Sequence, residues 1–174
     1  MTYNLIDEDK MFLNFTGFNK REKLELTEAV EFFAAQLMDP RMVRNLTLDI
    51  ERNKKSDVQG ECVNEEDCKN PRWFTITLRG NADDEDMVKT LAHEMVHVKQ
   101  YAKNELSKVM TAARGGKGIR IASKWHGQIW DPKKKEDAYW DSPWEIEAYG
   151  REVGLYQKWF AMKDKKQKVL DICV

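Results

Sequence analysis

The chain has 174 residues, which by length is one domain, long enough to bury a core without disulfide staples. Its 29 Lys and Arg against 30 Asp and Glu leave a formal charge of −1, which excludes a polycation that coats nucleic acid along its whole length. Hydrophobic residues make up 41% and aromatics 10%, too many for a disordered chain, and no run approaches the roughly 18 apolar residues that span a bilayer.

Residues 9–18 alternate apolar side chains at Met11, Leu13 and Phe15, which predicts a short strand ending near Gly17. Asn19 and Glu22 form a capping-box pattern and open a helix whose apolar stripe includes Leu24, Val30, Phe33 and Leu37. Asp39-Pro40 closes that helix. Leu46, Leu48 and Ile50 alternate in a second strand. Residues 51–71 are polar and read as a long connection. Phe74, Ile76 and Leu78 alternate in a third strand, Trp73–Arg79, which Gly80-Asn81 ends. The four acids Asp83 to Asp86 suit the positive end of a helix dipole and start a helix running to about Asn104. Residues 105–142 carry Gly115, Gly116, Gly118, Gly127 and Pro132 and read as a loop. Pro143 opens a last helix to about Lys163, and a basic tail, 164–174, frays beyond it. The prediction is a single α+β domain, 1–174, with a small mixed sheet and an N-terminal helix (1–80), a site helix (81–104), a loop (105–142) and a final helix (143–163).

The site helix carries His93-Glu94-Met95-Val96-His97, an HExxH motif. Residues four apart share a helix face, so both imidazoles can reach one ion. Glu94 sits about 100° round from His93, within reach of a water on that ion. Val88, Leu91, Met95, Val98 and Ala102 form the predicted core stripe, with His93 and His97 opposite it beside Lys89 and Gln100. These ligand types, with a carboxylate base beside them, point to Zn²⁺ and to hydrolysis.

A zinc site needs a third protein ligand. The candidates are Glu145 and Glu147 on the last helix and His126 in Trp125-His126-Gly127. Ile146, Tyr149, Val153, Tyr156 and Phe160 are the predicted core face of that helix. Glu145 lies about 60° from its centre and Glu147 about 140°, which favours Glu145. Ser142 and Glu145 also form a capping box, a purely structural use of the same glutamate.

HExxH followed by Glu145-Ile146-Glu147-Ala148 resembles the gluzincin zinc metallopeptidases, and small metallopeptidase-like proteins of bacteriophages and bacteria. That resemblance implies a minimal zincin-like fold and Glu145 as the third ligand. Tyr149 stands where the pattern has Asp or Asn, the usual hydrogen-bond partner of a ligand histidine. His126-Gly127-Gln128-Ile129-Trp130 more loosely resembles the SprT-like peptidases, which implies His126 as third ligand and action near nucleic acid. Both resemblances cover the region from Trp73 to the glutamate helix.

The expected activity is zinc-dependent metalloendopeptidase hydrolysis of a protein or peptide substrate, with Glu94 as general base. His126, Tyr139 and Tyr149 are candidate donors to the transition state. The resembled enzymes hold substrate along a strand at the cleft edge, here expected to be Trp73–Arg79. Segment 103–135 has nine basic residues against Glu105 and Asp131, a net +7, and suits an acidic partner or nucleic acid. Cys62, Cys68 and Cys173 are too few for a disulfide framework and read as free thiols. With no signal segment visible, the cytoplasm is the expected location, the host's if the chain is viral. The rival reading is a non-catalytic zinc-binding interaction protein.

Overall fold

The computed structural model describes residues 11–55, 57–113, 118–131 and 139–172. The acidic N-terminal ten residues, Arg114, Lys117, the lysines at 133–135 and Cys173 fall outside them. The architecture is α+β, with four helices and two sheets among the described residues.

The first sheet has the order β1-β2-β4-β3. It is built from β1 (Phe12–Thr16), β2 (Thr47–Asn53), β3 (Gly60–Asn64) and β4 (Trp73–Arg79). β1, β2 and β4 are parallel, and β3 runs antiparallel on the outer side of β4. Strand alternation puts Leu48, Ile50, Phe74, Ile76 and Leu78 on one face, all fully buried. The opposite face is polar: Asp49 accepts from Asn14 Nδ2 and from Trp73 Nε1.

Helix α1 (Lys20–Leu37) begins with the capping box read from the sequence, Asn19 and Glu22 bonding reciprocally. Its buried stripe runs through Leu26, Val30, Phe33 and Leu37, whereas Leu24 is 67% exposed, contrary to expectation. Pro40 does not merely end α1. It starts a short helix, α2 (Pro40–Arg44), capped by Asp39.

Helix α3 (Asp84–Ala102) is capped by Asp83, which accepts from the Asp86 N–H. It packs against α1, the first sheet and α4 (Pro143–Ile172). Every residue from 91 to 100 is buried, so α3 has no solvated polar face at the motif. His93, His97 and Gln100 lie inside the protein.

Segment 105–142 is not simply a loop. β5 (Leu106–Ala112), β6 (Ile119–Trp125) and β7 (Gln128–Ile129) form a second, antiparallel sheet. The tight turn between β6 and β7 is His126-Gly127, with φ of 45° and 81°, the positive values a two-residue hairpin needs. Likewise β3 emerges from the polar stretch read as a connection.

The last helix, α4, runs nine residues past its predicted end near Lys163. Lys163 pairs with Glu25 and Lys166 with Glu28 of α1, and Lys168 pairs with Asp164 within the helix. These contacts support residues that read as a fraying tail. Of the predicted core face of α4, only Tyr156 is buried. Ile146, Tyr149, Val153 and Phe160 are exposed, and Ala148, Leu155, Tyr156 and Trp159 are buried.

Candidate metal centre

Among the described residues, His93, His97 and Glu145 form one buried group whose ligand atoms all lie within 4.8 Å of one another. Helix periodicity places the two imidazoles on one side of α3, and the first turn of α4 delivers Glu145 to them. Glu145 Oε2 is 3.3 Å from His93 Nε2, and Oε1 is 3.5 Å from His97 Nε2. The predicted Ser142–Glu145 capping box does not form. Ser142 N–H and Oγ–H both donate to Tyr139 O, while the Glu145 carboxylate turns to the histidines.

Each histidine is held from behind. His93 Nδ1 lies 2.8 Å from Glu152 Oε2, and His97 Nδ1 lies 2.8 Å from Gln100 Oε1. An Nδ1–H donated to oxygen leaves the Nε2 lone pair free for a cation. Glu145 Oε2 is buried with no aligned hydrogen-bond donor. Two imidazole lone pairs and an unsatisfied carboxylate oxygen converging on one point fit a metal ion with nitrogen and oxygen preference.

Without metal, burial disfavours the charged His93, but Glu145 and Glu152 outweigh it and raise its pKa to about 9. Burial works against the Glu145 carboxylate, but His93 and His97 outweigh it and lower its pKa to about 2. Glu94 is only 4% exposed, and burial pushes it up to about 7 despite the attraction of His97 and His93.

The cluster lies in a cleft of about 800 Å³. One wall is the start of β3, where Gly60, Glu61 and Cys62 line it. The other is aromatic and includes Tyr139, Trp140, Trp144 and Tyr149. The Tyr149 ring packs edge-on against His93 at 4.5 Å between centroids. Burial and a hydrogen bond to Tyr149 push the Tyr139 phenol up, so it stays protonated. The Cys62 thiol is raised well above its usual range by burial, with Glu94 and Glu61 adding to it. Cys62 and Cys68 are both free.

Two candidate ligands are not in the cluster. His126 is exposed in the β6–β7 turn, stacked edge-on against Trp125, and does not line the cleft. Glu147 turns the other way, accepting from Lys99 Nζ, Gln100 Nε2 and Arg151 Nε. Burial raises its pKa, but Lys99, Gln100 and Arg151 outweigh that and hold it below the usual value.

The strand expected at the cleft edge, Trp73–Arg79, is an inner strand paired on both sides. Among the described residues, the free edge beside the cluster belongs to β3, which the polar sequence of 60–64 concealed. Glu152 and Gln100 were also missed as histidine partners. Their signal was spacing, two helical turns after Glu145 and three residues after His97.

No described helix is long and apolar enough to cross a membrane. No protein-family model, curated protein or solved structure matches the chain.

Proposed function

We propose that this protein is a zinc-dependent metallopeptidase of the gluzincin type, cleaving within protein or peptide substrates. The observation that carries the reading is the convergence of His93 Nε2, His97 Nε2 and the Glu145 carboxylate in a cleft, with Glu94 beside them. His93, His97 and Glu145 would hold Zn²⁺. Such an ion lowers the pKa of water to about 7 and polarises a peptide carbonyl.

Glu94 takes a proton from the attacking water at its carboxylate and returns it to the leaving amine. It lines the same cleft as the three ligands, within reach of a water held among them. Tyr139 or Tyr149 donates a hydrogen bond to the developing oxyanion. The free edge of β3 binds the substrate backbone as an added strand. A purely structural zinc site would have no use for a fourth ionisable group, the Glu94 carboxylate, buried beside its ligands and lining the same cleft. That placement favours catalysis over a binding role.

The β5–β6 hairpin offers a place for an acidic partner or nucleic acid. Its described residues include Lys108, Arg120 and Lys124 and no carboxylate. Free thiols at Cys62 and Cys68 suit a reducing cytoplasm.

The test is elemental analysis joined to Glu94→Gln. The purified protein is expected to carry one zinc per chain, and Glu94→Gln is expected to keep it while losing at least about 100-fold in peptide hydrolysis. Absence of zinc, or unchanged cleavage by the variant, refutes the reading.

A further inference from the structure

Gln100 is fully buried between the metal helix and α4, and every polar atom of its amide is engaged. Nε2 donates to Trp144 O at 2.9 Å and to Glu147 Oε2 at 3.1 Å. Both hydrogens of the amide are therefore used on the α4 side, and Oε1 must face His97 Nδ1, at 2.8 Å. Glu147 is itself pinned, because its Oε1 accepts from Lys99 at 2.7 Å and from Arg151 at 2.8 Å. Lys99 is anchored again by Glu105, at 2.6 Å.

We propose that a polarity relay runs from α4 through Gln100 and sets the tautomer of His97. Trp144 O and Glu147 offer Gln100 only acceptors, so it must turn its NH₂ toward them. Gln100 then offers His97 only an acceptor, so the imidazole proton sits on Nδ1 and the lone pair on Nε2. That lone pair faces Glu145. Gln100 is a positioning residue acting through His97. The relay explains why Glu147, two residues from the ligand glutamate on the first turn of α4, is held under α3 by two cations instead of being solvated. His93 is fixed differently, by the Glu152 carboxylate directly.

Cutting the relay at Gln100 should release the tautomer. Gln100→Met keeps the volume but offers His97 Nδ1 no acceptor, so the ring proton moves to Nε2, where Glu145 Oε1 lies 3.5 Å away. Glu147→Gln leaves the Trp144 carbonyl holding the Gln100 NH₂ toward α4, so the Nδ1–H form stays.

The proposal rests on the metal reading only for its consequence, and two readouts separate the two. The first is long-range ¹⁵N NMR of the imidazoles in the metal-free protein, at a pH where His97 is neutral. Wild type and Glu147→Gln should show the Nδ1–H form of His97, and Gln100→Met the Nε2–H form. The second is zinc affinity by competition with a chelator. Gln100→Met should lose about 10–100-fold. An unchanged His97 tautomer or wild-type zinc affinity in Gln100→Met overturns the relay. If wild type binds no zinc, the metallopeptidase reading falls while the NMR still decides the relay. Should Gln100→Met not fold, Gln100→Leu also removes the acceptor. It must lose the same range, about 10–100-fold, and wild-type affinity there overturns the proposal.

Discussion

Gly60 and Glu94 stand so close that a β-carbon on Gly60 would lie 2.6 Å from Glu94 Oε1. The same carbon would lie 2.5 Å from Thr90 Cγ2. The edge strand thus lies so close to Thr90 and the proposed base that a side chain at position 60 must displace something. Gly60→Ala pushes aside β3, the Thr90 methyl or the Glu94 carboxylate. The expected result is full zinc content, a stability loss of about 1–3 kcal/mol as for other overpacked sites, and at least about tenfold lower peptide hydrolysis. Metal analysis, thermal melting and a cleavage assay on one preparation check it. Wild-type activity in this variant would show that the contact does not position Glu94.

Glu145 and His126 make a second, opposed pair of predictions. Glu145→Ala removes a converging oxygen and should weaken zinc binding by more than about 100-fold, beyond what loss of a supporting hydrogen bond costs. His126→Ala touches an exposed turn and should leave affinity within about twofold. Chelator competition on both variants decides between the two assignments of the third ligand. Equal loss in both would return His126 to the site.

The metal-free protein should become less stable as pH rises from about 5 to 9. Glu94 has a folded pKa of about 7 against an ordinary 4.5. Its proton-linked stability is therefore complete below 4.5 and is lost as pH rises through 7. His93, at about 9 against 6.5, contributes stability that is complete below 6.5 and lost as pH rises through 9. Glu145, at about 2 against 4.5, acts only on the acid side, where its contribution is lost as pH falls below 4.5 toward 2. Zinc requires neutral imidazoles and competes with the His93 proton, so its affinity should rise about tenfold per pH unit up to about 9. The rise in melting temperature on adding zinc should therefore widen between about pH 6 and 9. Melting curves with and without chelator measure both trends, and a flat metal-free profile contradicts them.

Glu94→Gln should separate activity from stability. A carboxylate that burial holds at about 7 is charged at about pH 8 at the expense of the fold. Replacing it with a neutral isostere is expected to stabilise the metal-free protein by on the order of 2 kcal/mol at about pH 8, and by little at about pH 5. A variant that is inactive, holds zinc and melts higher at the alkaline pH would bear this out. A lower melting temperature there would mean that Glu94 holds the fold together instead.

What sequence alone determined here is local. HExxH places two imidazoles on one helix face because the spacing is a property of the helix itself. Asn19 caps α1 and the acids from Asp83 open α3, because these interactions reach only about one turn along the chain. The alternating strands β1, β2 and β4 were legible for the same reason. Sequence also favoured Glu145 over Glu147, but from a face of α4 that proved exposed. The inward seam runs through Glu145, Ala148, Glu152, Leu155 and Trp159. Two of its five positions are carboxylates, so the hydrophobic pattern favoured the rival stripe through Ile146, Val153 and Phe160.

Only the tertiary structure decided which stripe faces inward, that the edge strand is β3, and that β5, β6 and β7 build a second sheet. It alone showed Glu152 behind His93, two residues 59 apart in the chain that meet when α4 closes over α3. Gln100 stands three residues from His97 on the same helix, yet its amide is turned by Trp144 and Glu147 of α4. A helix repeat states which residues share a face. What that face meets is settled by the elements packed against it, and here α4 meets the histidines with the carboxylates that amphipathic patterning reads as solvent.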